Sequence, residues 1–130
     1  MTLYFDHVDF SYGDRKIIDD VSFTIPEGTT TAIVGPSGSG KTTLTNLMAR
    51  FWDVNKGSVK LGGIDVKDYS LDSLMSNFSM VFQNVYLFND SIENNIKFGK
   101  PEANHEEVVA AAKDARCMIL LWRCLMAMTR

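Results

Sequence analysis

Between Gly35 and Thr43 the chain reads "GPSGSGKTT". Glycines, hydroxyl residues and one lysine in that order suit one chemistry above others, the grip of a polyphosphate. Gly35 to Thr42 fits G-x-x-x-x-G-K-[ST] in full. The glycines let the backbone bend so that several N–H groups turn inward and form a nest for an anion. A helix that starts near Lys41 adds its positive end. Lys41 supplies a mobile charge to β- and γ-phosphates, and the Thr42 hydroxyl can ligate Mg²⁺. A chance match somewhere in such a chain has a probability on the order of half a percent. The bland alternative is a glycine-rich turn that happens to hold a lysine.

The loop needs a strand before it and a helix after it, and the flanks supply both patterns. "TTTAIV", 29–34, is a β-branched run that predicts a buried strand entering Gly35. Leu44, Leu47, Met48 and Phe51 recur at helical spacing and predict a helix over roughly 41–51. Upstream, "LYFDHVDFSY" alternates loosely as a half-buried strand, Gly13 and Asp14 suggest a turn, and "IIDDVSFTI" starts a second strand. Pro26 and Gly28 punctuate the next turn. Downstream, "GSVKLGG" reads as a short strand and "FSMVFQ" as another that ends at Gln83. Ser70 can cap a short helix with Leu71, Leu74 and Met75 on one face. Asn104 and Glu107 form a capping pair ahead of a helix lined by Val108, Ala111, Ala112 and Ala115. The order predicts an α/β layered domain with β-rich additions.

Bulk properties narrow the function classes. The 130 residues suffice for one domain with a modest core. A net charge of -3 and the lack of a Lys/Arg block speak against nucleic acid and against a polybasic membrane patch. The two cysteines, Cys117 and Cys124, have no metal-ligand spacing around them, which predicts a reduced intracellular chain. "MTLYFDHVDF" is no secretory signal, and the longest apolar run, "CMILLW", is far too short for a bilayer. These features predict a soluble or peripheral chain. No N-K-x-D motif is present, since "NKGS" at 55–58 lacks the acid, which disfavours a GTPase. A small-molecule kinase would need an acceptor-binding lid instead of the pattern around Gln83.

Taken with two further motifs, the loop resembles the ATP-binding domain of ABC transporters, specifically the exporter type. "FDHVDFSYG" is similar to the family's opening strand with its adenine-stacking aromatic. "GPSGSGKTTL" corresponds to the Walker A loop, and "VFQNVYLFNDSIENNIKFG" resembles the exporter pattern around the Q-loop. The fold implied is a P-loop NTPase core with an antiparallel β subdomain, C-terminally incomplete, over residues 1–117, followed by a non-family tail at 118–130. By the resemblance, Tyr12 stacks on the adenine, whereas an aromatic near a strand end otherwise reads as packing. Gly35, Ser37, Gly38, Ser39, Gly40, Lys41, Thr42 and Thr43 cradle the phosphates. Gln83 joins Thr42 at Mg²⁺ or meets the attacking water; without the family it is a polar residue closing a strand. Tyr86, Leu87 and Phe88 lie in a loop that docks on the membrane domain in exporters, or packs on its own domain. The implied ligands are ATP and Mg²⁺. The implied partners are the transporter's membrane domain and a second ATP-binding domain, with no nucleic acid, at the cytoplasmic face of the membrane. Cargo is selected by the membrane domain.

The signature motif, the Walker B acid with its glutamate, the D-loop and the switch histidine find no match, and no acid follows Asp114. Hydrolysis needs that acid beside the loop hydroxyl, so this chain by itself is expected to bind nucleotide without turnover, or to be a non-functional fragment. The ending "ARCMILLWRCLMAMTR" also departs from the exporter pattern A-x-C-H-D-F-I-x-x-L-P-x-G-Y-D-T. Within codon degeneracy, one base added ahead of the Met118 codon re-divides the message into H-D-L-I-M-A-L-P-N-G-Y-D-T. Met118, Trp122, Met126 and Met128 each have a single codon, which limits the freedom in that exercise. The competing reading, an amphipathic membrane or partner helix, lacks a sustained basic face. A one-nucleotide deletion near codon 117 is therefore expected. Sequencing the coding DNA checks it: inserting one base there should open a frame that contains a signature motif.

Overall fold

The computed structural model describes every residue except 83, 85 and 118–130, so Gln83 and the tail lie outside the described residues. The chain divides into two compact units, Met1–Val81 and Phe82–Arg130. In the first, β1 (Leu3–Tyr12) and β2 (Arg15–Ile25) form the expected hairpin across Gly13 and Asp14, and β3 (Lys56–Leu61) pairs with the other edge of β1. A two-residue strand, β4 (Ile64–Asp65), folds back on β3 through Gly62 and Gly63, which gives an antiparallel sheet of order β2-β1-β3-β4.

β1 does not alternate strictly, and its bulge explains why. Leu3 and Phe5 are buried at odd positions, Val8 and Phe10 at even ones. The extra residue sits between Phe5 and Val8, where His7 adopts φ 47. β2 carries a matching irregularity: Ile18 is buried, Val21, Phe23 and Ile25 are half-buried, and Asp20 adopts φ 48. A bulge residue in left-handed conformation shifts the phase of a strand by one and restores its apolar row to one face. The two bulge residues hold each other, with His7 Nδ1 2.7 Å from Asp20 Oδ1. The Ser22 hydroxyl accepts from the His7 N–H, and Asp9 Oδ1 accepts from the Asp20 N–H. Opposite the bulge stands Gly57, at φ 76, where a Cβ would lie 2.3 Å from the carbonyl oxygens of Asp6 and His7. Only glycine fits that approach.

Helix α1 (Lys41–Met48) and helix α2 (Leu71–Met75) close the core, with Leu47 and Leu74 fully buried beside Leu3, Phe5, Val8, Phe10, Val59 and Leu61. Phe23 stacks on Phe5 at 4.5 Å. Ser70 caps α2 as expected, but Leu71 faces solvent and only Leu74 is fully buried. Burying a leucine completely contributes about 2 kcal/mol, so these two side chains anchor both helices.

The second unit contains α3 (Ile92–Ile96) and α4 (His105–Asp114). The capping box of Asn104 and Glu107 forms in full, and Val108 and Ala112 are buried while Ala111 and Ala115 are exposed. Helix α3 was not expected; Ser91 caps it, and Asn95 ties it to the preceding loop through the N–H and carbonyl of Phe88. Phe88 stacks on Phe98 at 4.6 Å, which is the local packing alternative for this loop. Among the described residues no helix is long and apolar enough to cross a membrane.

Two expected strands are not formed. Residues 29–34 and 78–82 carry no ladder pairing, and Val34 and Val81 are 88% and 99% exposed. A β-branched run becomes a strand only when neighbours take its N–H and C=O groups. Among the described residues no strand stands beside either run.

The bulge clamp makes stability depend on pH. The hydrogen bond and charge of Asp20, with Asp6 beyond, raise the His7 pKa above its usual value. The clamp's contribution is then complete below pH ~6.5 and is lost as pH rises through the raised folded value. The thermal midpoint followed by circular dichroism should fall modestly over that rise, because the pair is exposed. Asp20→Asn should flatten the fall, and an unchanged slope in that variant would contradict the clamp.

Candidate functional site

The phosphate-loop residues converge because the loop curls back on itself ahead of α1. The Ser39 N–H donates to the Pro36 carbonyl at 3.3 Å, and a Cβ on Gly35 would lie 2.7 Å from Ser39 Oγ. Gly38 and Gly40 adopt φ 81 and 88, the left-handed geometry that turns successive N–H groups to one side. Lys41 reaches back across the loop, and its Nζ donates to the carbonyls of Gly35 at 2.8 Å and Pro36 at 2.6 Å.

The start of α1 is open. Gly40 is its N-cap and has no side-chain acceptor to offer, and the first turn holds no acid. The leading N–H groups of an α-helix have no partner within it and carry a partial positive charge. Ser37, Ser39 and Thr42 are exposed beside them, while Thr43 is buried. Thr45 Oγ1 donates to the Thr42 carbonyl, and Thr42 itself is exposed. Such an arrangement offers backbone and hydroxyl donors plus one ammonium to an anion, and one hydroxyl oxygen to a hard cation.

The loop is seated on the hairpin. A Cβ on Gly40 would meet Ile18 Cδ1 at 3.0 Å and Ile17 Cγ2 at 3.2 Å. Ile18 is the buried residue of β2 and Ile17 its half-buried neighbour, just past the point where Arg15 pairs with Tyr12. Tyr12 thus stands on the hairpin end nearest this seat, 37% exposed. Phe10 meets it edge to face at 4.8 Å and Trp52 does so at 5.3 Å. Of the residues expected from sequence, the structure places Gly35 and Ser37 to Gly40 in one loop and Lys41 to Thr43 in the first turn of α1, and sets Tyr12 on the strand pair that supports the loop. Gln83 lies outside the described residues. Trp52 escaped the sequence reading, because its neighbour Tyr12 is remote along the chain and no local spacing announces the contact.

The ABC transporter family profile matches residues 18–123. The chain belongs to the ABC transporter family. The ATP-dependent lipid A-core flippase of Desulfotalea psychrophila (strain LSv54 / DSM 12343) is 45% identical over 120 residues, 92% of this chain and 21% of the flippase. The mitochondrial iron-sulfur clusters transporter ATM1 of Candida glabrata is 46% identical over 118 residues, 90% of this chain and 16% of that transporter. A bacterial Atm1-family ABC exporter, solved with ATP bound, superposes with a TM-score of 0.89 at 40% identity over 94% of this chain and 22% of its own. The chain therefore spans about a sixth to a fifth of the length of these curated relatives. Its fold is that of the ABC-type P-loop ATPase domain, and its similarity runs to exporters.

Gly40 carries two demands in this ABC transporter domain, a left-handed φ and close approach to Ile17 and Ile18. Gly40→Ala should cost about 1–2 kcal/mol from the backbone conformation alone, with further loss as the isoleucines shift. Gly13→Ala, also left-handed but with open space around it, should cost less. Urea denaturation of both variants checks the order.

Proposed function

We propose that this chain is the ATP-binding part of an ABC exporter. The observation that carries the reading is the uncapped start of α1, with the Lys41 ammonium lying across a loop built from Gly35 to Thr42. In the proposed complex the N–H groups of the loop and first turn face the phosphate oxygens. Lys41 exchanges the Gly35 and Pro36 carbonyls for the β- and γ-phosphates. That exchange is favourable because an ammonium–phosphate bond is charge-assisted at both ends and a bond to a carbonyl at one. Tyr12 offers its ring to the adenine.

Thr42 Oγ1 suits Mg²⁺, a hard cation that prefers oxygen ligands, and Gln83 is proposed to complete its protein contacts. Bound Mg²⁺ would neutralise charge on the terminal phosphates. In a complete exporter, the second ATP-binding domain and the membrane domain would couple hydrolysis to transport, with this domain on the cytoplasmic side. The loop at Tyr86, Leu87 and Phe88 is exposed and suits the membrane-domain contact. Turnover requires an acid beside the loop hydroxyl at Mg²⁺, and no acid follows Asp114 in these 130 residues to supply it. The isolated chain is thus proposed to hold ATP without hydrolysing it.

Equilibrium dialysis with ATP tests the binding, and phosphate release tests the turnover. Lys41→Ala should weaken ATP about ten- to hundredfold, the range for losing a hydrogen bond to a charged group. Phosphate release by the unaltered chain should stay at the level of the Lys41→Ala variant. Mg²⁺-dependent release that vanishes in Lys41→Ala would overturn the inactivity, and equal ATP affinity in the two proteins would overturn the site.

A further inference from the structure

Trp52 occupies the turn that leaves α1, and nothing in the motif pattern accounts for it. Trp52 is 52% exposed, too open for a core residue, yet its ring has aromatic neighbours. It stands edge to face against Tyr12 at 5.3 Å with an interplanar angle of 87°, and tilted against buried Phe10 at 6.3 Å. Phe10 meets the same tyrosine at 4.8 Å, also at 87°. With the two neighbours only 6.3 Å from each other, they adjoin Tyr12 on neighbouring sides and not on opposite faces. At least one face of the Tyr12 ring is free of both.

The segment that carries Trp52 is pinned on each side. Before it, Arg50 adopts φ 55 and its guanidinium pairs with Asp53 at 3.1 Å and donates to the Lys67 carbonyl at 3.1 Å. After it, the Asn55 N–H donates to the Asp9 carbonyl at 2.9 Å, and Asn55 Oδ1 accepts from the Ser11 N–H at 2.7 Å. Ser11 is the residue next to Tyr12, at a point where the β1–β2 register slips and the ladder leaves backbone groups to be met otherwise. Asn55 thereby binds the Trp52 turn to the strand end that bears Tyr12.

We infer that Trp52 is a positioning residue for Tyr12, holding the tyrosine ring so that its free face is presented to the purine base of a bound nucleoside triphosphate. The physical reason is the tyrosine's place at the end of β1. A half-exposed ring there has two χ angles to settle, and Phe10 alone restrains it from one side. An edge-to-face partner contributes beyond its buried area, and fixing the ring before the base arrives lowers the ordering cost of binding. Trp52 acts through Tyr12 and needs no contact with the nucleotide. The inference rests on the proposal that Tyr12 stacks on the base.

ATP and inorganic tripolyphosphate, titrated into the full 130-residue chain, separate base from phosphate binding. Trp52→Ala should weaken ATP about three- to tenfold, the factor that corresponds to an aromatic pair, and leave tripolyphosphate unchanged. Trp52→Phe should recover most of the loss. In a Tyr12→Ala background, Trp52→Ala should cost nothing further. If Trp52→Ala does not fold, Trp52→Leu against Trp52→Phe makes the same comparison with apolar volume retained. Equal loss for ATP and tripolyphosphate, or the same loss with Tyr12 already removed, would show a merely structural tryptophan and overturn the inference. So would an unaltered ATP affinity in Trp52→Ala while Tyr12→Ala weakens ATP; in that case base stacking by Tyr12 survives. If Tyr12→Ala itself leaves ATP affinity unchanged, base stacking falls and the inference falls with it.

Discussion

A strand presents alternate residues to opposite faces, so one inserted residue exchanges the faces of everything beyond it. In β1 that insertion is made at His7, and the rest of the first unit depends on it. Without the bulge, Leu3 and Phe5 would lie on one face and Val8, Phe10 and Tyr12 on the other. With it, all four apolar residues join one core and Tyr12 continues the same row to the sheet's end. The cost is a residue with φ 47, a matching bulge at Asp20 and a glycine opposite, where the carbonyls of Asp6 and His7 leave no room for a Cβ. His7, Asp20, Asp9, Ser22 and Gly57 form one device, and its product is the side on which Tyr12 emerges.

That sheet face then seats the phosphate loop. Leu47 and Thr43 bury one side of α1, and Gly40 brings the helix start against Ile17 and Ile18. The magnitudes divide the labour. Burial of Leu47 contributes about 2 kcal/mol and positions the helix. The exposed hydrogen bonds of Lys41 to its own loop are charge-assisted at one end only, so phosphate oxygens can replace the carbonyls. A loop whose frame is held by apolar burial and whose charged residue is held weakly can change partners without unfolding. At the hairpin end, Phe10 and Trp52 border Tyr12 while the tyrosine stays partly exposed.

What could be read ahead of the structure followed the range of the forces involved. The capping pair Asn104 and Glu107, the Ser70 cap, the Gly13–Asp14 turn and the helix after Lys41 are local arrangements, complete within a few residues, and each formed. Helix α3 had an equally local signal in Ser91 and Asn94, hidden beneath a loop-like stretch of mixed composition. The expected strands met the opposite fate at 29–34 and over the described residues 78–82. Their β-branched and aromatic residues express a preference, but ladder partners supply the stability, and Val34 and Val81 remain exposed without them. The bulges were visible only as imperfect alternation, since a left-handed His7 depends on Asp20, Ser22 and Gly57 from other strands.

The sequence by itself determined the chemistry: the order of glycines, hydroxyls and lysine from Gly35 to Thr43 is a covalent fact, and nest geometry follows from backbone sterics within the loop. It also determined the family, because several motifs occur in one order along the chain. Tertiary structure decided which face of β1 carries Tyr12, where the loop rests and which ring stands beside the tyrosine. Those depend on contacts between residues far apart in sequence, such as Tyr12 with Trp52 and Gly40 with Ile18. Such contacts exist only once burial has brought the elements together, and no spacing along the chain encodes them.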